Sequence, residues 1–159
     1  MTSKSHHLCQ VNISYMIAQL SNPIMAEFVA QLDSINKLAD STPGFIWRLQ
    51  TEEGNATSID AYDDKLILFN LSVWESIDAL KKFVYRSQHG QVMRYREKWF
   101  HKSERVNTAL WWVPRGNIPT IDEAKKRLQH LNDYGDSPYA FSFKNKFLTK
   151  EPISIASGI

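Results

Sequence analysis

The chain of 159 residues has one cysteine, Cys9, so no intrachain disulfide can staple it. It has no apolar stretch approaching the roughly 20 residues that a membrane span needs, which excludes a transmembrane helix. The first residues, MTSKSHHLCQVNISYM, carry no unbroken apolar segment ending in a small-residue cleavage site, and do not read as a signal peptide. Neither sign of charge dominates. A net charge of +2 calls for no polyanionic partner, and no basic face or recognisable module points to nucleic acid. No repeat, low-complexity tract or linker divides the chain. These absences leave one soluble, reduced, cytoplasmic domain over 1–159 as the expectation. Its 43% hydrophobic content is enough for a core at this length.

Periodicity supplies the elements. Leu8–Met16 alternates as a strand, with Cys9, Val11, Ile13 and Tyr15 on one face. Asn22 is a good N-cap and Pro23 fits the first helical position. From Ile24 to Ala39, Ile24, Phe28, Leu32, Ile35 and Leu38 recur at helical spacing. Thr42-Pro43-Gly44 ends that helix. Phe45–Leu49 is extended, with Ile46 and Arg48 expected on one face and Phe45, Trp47 and Leu49 on the other. Thr51–Asp64 reads as a polar loop, and Leu66–Trp74 as a central strand. Glu75-Ser76 leads into a helix with Ile77, Leu80, Phe83 and Val84. A second helical piece is expected from Gln88 to about Lys102. Thr108–Val113 is a strand, and Thr120–Glu123 opens a helix through Leu131. Ala140–Phe143 is a candidate last strand, and the tail after Lys150 looks frayed. This order contains the βαββαβ core of a ferredoxin-like α+β sandwich, an antiparallel sheet with helices on one face. The face without helices then needs cover, and a homodimer is expected to provide it.

One segment, Phe83 to Pro114, concentrates rings and titratable groups: Tyr85, His89, Tyr95, Trp99, Phe100, His101, Trp111 and Trp112, with Arg86, Arg94 and Arg96. On a continuous helix Tyr85, His89 and Arg96 share a face, where His89 could take a proton while the phenol and guanidinium stabilise the resulting anion. The competing reading of His89 is a surface histidine beside Gly90. Arg48 is either an anchor for an anionic group inside a barrel or an outward residue paired with a carboxylate. Trp47, Trp74, Trp99, Trp111 and Trp112 can line a pocket for a flat apolar ligand, or serve as core and interface. Adjacent Trp111 and Trp112 must face opposite ways. His6, His7 and Cys9 resemble a metal cluster on paper, but sit at a terminus with no second ligand pair. Asp60, Asp63 and Asp64, near Glu52 and Glu53, read as a solvated acidic loop rather than a cation site. No metal is expected. No cofactor is called for, haem ligation by His89 or His101 being the minor alternative. Cys9 reads as a small apolar residue.

Several motifs occur together and in order: PGFIWRLQ (43–50), ATS (56–58), SVWES (72–76), FVYRSQH (83–89), KWF (98–100), ALWWVPRG (109–116) and PTIDEAKKRL (119–128). On these the chain resembles an uncharacterised domain-of-unknown-function family, number 3291 in that series, of the dimeric α+β barrel superfamily. The resemblance spans residues 9 to 148. It implies a ferredoxin-like protomer whose sheet pairs with a second copy. The superfamily includes cofactor-free monooxygenases, polyketide cyclases, haem-degrading enzymes and small-molecule regulatory domains, and fold does not choose among them. The resulting expectation is a small-molecule enzyme using acid–base chemistry on a hydrophobic or polycyclic metabolite. A non-catalytic protein that binds or senses such a metabolite is the alternative, and a haem protein the second alternative.

Overall fold

The computed structural model describes residues 5–50, 62, 64–88, 96–102 and 105–144, with backbone alone at 87, 88 and 96. Five strands, β1 (His6–Met16), β2 (Phe45–Arg48), β3 (Ile67–Trp74), β4 (Phe100–His101) and β5 (Thr108–Pro114), form one antiparallel sheet. β1 lies in the middle. It pairs with β3 along Leu8–Tyr15 on one side. On the other side it pairs with β5 along His6–Asn12 and with the short β4 at Tyr15 and Met16. β2 pairs with the far edge of β3. With β4 and β5 counted as one interrupted strand, this is the ferredoxin-like order expected from the sequence.

The helices begin where local chemistry starts them. Asn22 Oδ1 accepts from the Ile24 N–H, Pro23 opens a 3₁₀ turn, and α1 (Ala26–Ser41) follows. Ser76 Oγ accepts from the Ala79 N–H at the start of α2 (Ile77–Gln88). Thr120 Oγ1 accepts from the Glu123 N–H at the start of α3 (Ile121–Tyr134). Between α1 and β2, Gly44 takes a positive φ of 93° and passes so close to α2 that a Cβ there would sit 2.5 Å from the Ala79 Cβ. Only glycine fits that turn.

Three differences from the sequence reading are informative. First, both faces of the sheet carry helices. α1 and α2 cover the face of Leu8, Met16, Leu68, Trp74 and Leu110. Ala124, Leu128 and Leu131 of α3 pack on the opposite face, against Cys9, Val11, Phe69, Leu71 and Trp111. That is the face on which a second copy was expected to provide cover. Second, a bulge between Phe45 and Trp47 breaks the alternation of β2. Phe45 therefore packs with Trp74 on the α1/α2 face together with Arg48, while Trp47 and Leu49 turn toward the α3 side. Third, at the end of the helical piece expected to reach Lys102, the described residues form a 3₁₀ turn at Arg96–Lys98 followed by β4. Pairing of Phe100 with Met16, and burial of Trp99 and Phe100 against Phe28, override the local helical pattern. Ala140–Phe143 is not a full strand. It contributes one bridge to the sheet, with both Leu110–Phe141 hydrogen bonds formed, and a second, local one between Ala140 and Ser137. Among the described residues no helix is long and apolar enough to cross a membrane.

Candidate functional site

The face of the sheet under α1 and α2 is apolar at its ends and polar in its middle. Along β1 the inward positions run Leu8, Gln10, Asn12, Ser14, Met16; along β3 they run Trp74, Ser72, Asn70, Leu68. Leu8 and Trp74 belong to one buried cluster, with Leu80 of α2, Ala39 and Phe141. Met16 and Leu68 belong to another, with Met25, Phe28, Trp99 and Phe100. Between the clusters the strands place amides and hydroxyls side by side. Gln10 faces Ser72, Asn12 faces Asn70, and on β5 Thr108 faces Asn12. Gln10, Asn12, Ser14, Ser72 and Thr108 are half-buried and Asn70 is exposed. Such a strip costs desolvation without adding apolar burial, so packing alone does not call for it.

Its internal hydrogen bonds are directional. The Trp74 indole N–H donates to Ser72 Oγ at 2.8 Å, and Ser72 in turn donates to Gln10 Oε1 at 2.9 Å. Asn12 Nδ2 donates to Thr108 Oγ1 at 2.6 Å. Among the described residues the amide nitrogen of Gln10, the amide oxygen of Asn12 and both ends of the Asn70 amide have no side-chain hydrogen-bond partner. A buried aromatic cluster stands at each end. Trp74 stacks on Phe83 with centroids 5.3 Å apart and meets Phe45 edge-on at 5.4 Å. Trp99 and Phe100 lie 5.8 and 5.0 Å from Phe28. Arg48, in register with Ser72, borders the strip, and its Nε donates to Asp40 Oδ1 at 2.8 Å. Neutral dipoles arranged in this way can solvate the oxygen atoms of a bound molecule.

The sequence-derived candidates divide. Arg48, Trp74, Trp99 and Trp112 lie on this face; Trp47 and Trp111 lie on the other, with α3. Trp111 is fully buried, and the Arg127 guanidinium sits over its ring at 5.4 Å. Tyr85 is on the outer side of α2 and 65% exposed, away from the strip. His89 lies outside the described residues. Arg96 opens the 3₁₀ turn before Trp99, an element separate from α2, and its side chain is likewise outside them. His101 is exposed on β4. His6, His7 and Cys9 do not converge, because strand alternation sends His6 to the opposite side from the other two. Burial raises the Cys9 thiol to about 12, so it stays protonated and is neither nucleophile nor soft ligand. Asp64 caps the turn into β3 by accepting from the Leu66 N–H; Asp60 and Asp63 lie outside the described residues. Among the described residues no three His, Cys, Asp or Glu side chains are grouped as a metal site.

Gln10, Asn12, Asn70 and Ser72 were missed from sequence. The signal was present: at period two, Leu8 to Met16 and Leu68 to Trp74 are both apolar at the ends and polar between. Reading Leu66–Trp74 as one apolar run hid it.

The fold is a ferredoxin-like α+β domain, and the sheet face that packs on α1 and α2 carries a strip of amides and hydroxyls. The chain belongs to the family described as Domain of unknown function (DUF3291), whose model matches residues 7–155. No curated protein matches in sequence. Among solved structures it is similar to SnoaB, a cofactor-independent oxygenase from Streptomyces nogalater, at 17% identity over 73% of this chain and 100% of that one, with a TM-score of 0.44. A mutant of the same oxygenase matches at 15% identity over 72% of this chain and 98% of that one, with a TM-score of 0.41.

Proposed function

We propose that the protein is a small-molecule enzyme that binds a flat, hydrophobic or polycyclic metabolite over the Gln10–Asn12–Asn70–Ser72 strip and transforms it by acid–base chemistry. A cyclase, an isomerase and a cofactor-free oxygenase all fit this class. The supporting observation is the row of neutral dipoles set between two buried aromatic clusters. Fixed amides and hydroxyls stabilise an enolate or phenolate oxygen as charge develops, without reorganisation at the moment of reaction. Arg48 borders the strip with its guanidinium paired to the Asp40 carboxylate, and serves there as an N–H donor rather than as a free charge. No described side chain on the strip is a good proton acceptor, so that role goes to His89, one residue beyond α2, with Arg96, three residues before Trp99, as the balancing charge. Tyr85, on the outer side of α2, is left out of this group. The working form is a homodimer, which should sediment at twice the mass of one chain.

A bicyclic ketone with an acidic methylene, 2-tetralone, tests the chemistry directly through deuterium exchange in D₂O followed by NMR. The native protein should accelerate exchange above buffer. His89→Ala should remove about 100-fold of that acceleration with binding and melting temperature intact. Asn12→Leu and Asn70→Leu should weaken binding of the ketone. Saturable binding with no accelerated exchange would replace the enzyme with a metabolite-binding protein. Exchange that survives all three substitutions would move the site elsewhere.

A further inference from the structure

A second concave site lies on the outer side of α2, distinct from the strip. Positions 78, 81, 82, 85 and 86 form one face of that helix by their spacing of three and four. With Thr42 and Pro43 they line a cleft of about 450 Å³, a volume in the range of small-ligand sites. Its base is rigid. The Thr42 hydroxyl donates to the Leu38 carbonyl at 2.7 Å, its N–H to that of Ala39 at 3.1 Å, and Pro43 has a fixed φ. Gly44 is pressed against Ala79, with its carbonyl held by the Glu75 N–H at 2.8 Å. The turn that makes one wall is thus locked to the helix that makes the other.

The charges in this cleft are one-sided. Lys81, Lys82 and Arg86 face a single carboxylate, Asp78, which already has a role beside the N-terminus of α2. Lys82 and Arg86 are four residues apart, a like-charge spacing that weakens a helix. Among the described residues neither is in an ion pair. The chain as a whole carries only +2, so this concentration is local. Tyr85, 65% exposed, adds a flat ring beside the cations.

We propose that this cleft binds a phosphoryl group carried on a small ring-bearing molecule. The Arg86 fork and the Lys82 point charge take the phosphoryl oxygens, and the Tyr85 ring packs on the organic part. More than one cation converging on the site favours a dianionic phosphoryl over a single carboxylate.

Calorimetry on the intact protein tests this with three probes: phenyl phosphate, inorganic phosphate and benzoate. Phenyl phosphate should bind saturably with a one-to-one ratio and at least tenfold more tightly than either of the others. The affinity should fall steeply with added salt. The double variant Lys82→Gln/Arg86→Gln should lose at least tenfold of it with an unchanged melting temperature, and Tyr85→Ala should bring phenyl phosphate down to the level of inorganic phosphate. Equal binding of all three probes, or phenyl phosphate binding untouched in the double variant, overturns the proposal. Asn70→Leu, which disrupts the strip, should leave phenyl phosphate binding unchanged, so the two sites fail or succeed separately.

Discussion

His7 sits near the start of β1 with its ring Nδ1 buried and without a hydrogen-bond partner among the described residues. Burial holds its pKa below the ordinary 6.5; Arg115 pushes the same way and Glu75 opposes. As the pH falls through 6.5 the unfolded chain therefore takes up a proton more readily than the native chain does. Stability is present in full above pH 6.5 and declines as the pH falls below it. His7→Gln should lose less melting temperature between pH 7.5 and 5.5 than the native protein, and parallel losses would show that His7 does not titrate in this window. Gly44 is the other residue whose neighbourhood dictates its identity. Gly44→Ala meets both a positive φ and the Ala79 Cβ, so denaturant unfolding should show a loss of about 2–4 kcal/mol. The proline and glycine of Thr42-Pro43-Gly44 mark a turn in the sequence. That this turn abuts α2 cannot be read there, because Ala79 is 35 positions away.

At the scale of elements, helix starts were legible and strand partners were not. Asn22, Ser76 and Thr120 all accept from the N–H groups their positions predict, since capping is settled within three residues. Thr120→Ala should accordingly cost about 1 kcal/mol in unfolding free energy, and a change within a few tenths would remove the cap from the account. The stretch after Arg96 is the opposite case. Its helical pattern yields to a pairing with Tyr15 and Met16, more than 80 positions earlier. Trp99, fully covered there, anchors the second aromatic cluster. Trp99→Ala should cost about 3–5 kcal/mol, whereas an unfolding curve like that of the native protein would mean that the cluster is not packed as described. The bulge in β2 matters similarly. It separates Phe45 from Trp47 and so decides which ring reaches the strip.

For the whole molecule the decisive feature is that the sheet is covered twice. α3 buries Leu128 and Leu131 against Cys9, Val11 and Trp111, and so makes that side core rather than open surface. The two faces should therefore respond differently to mutation. Leu128→Ala opens a cavity under α3 and should lower stability by about 2–5 kcal/mol. Asn70→Leu, on the polar strip, should leave stability nearly unchanged while ketone binding weakens, because the amide it removes is exposed and no packing requires it. Equal destabilisation by both would make the strip a structural network rather than a site. A second copy, if it docks on the α3 side, meets the outer surface of that helix and not a bare sheet.

The sequence by itself determined where most of the helices and strands lie, where three helices begin, and the βαββαβ order. All of these follow from contacts or periodicities within a few residues. The tertiary structure alone decided that α3 closes the second face, that β2 bulges, and that residues 100–101 form a strand. It also decided that amides from β1 and β3 meet between two aromatic clusters, while Tyr85 faces away from them into a cationic cleft. Those outcomes depend on which distant segments pair and which side of the sheet each helix covers. Register and burial, rather than local propensity, fix them.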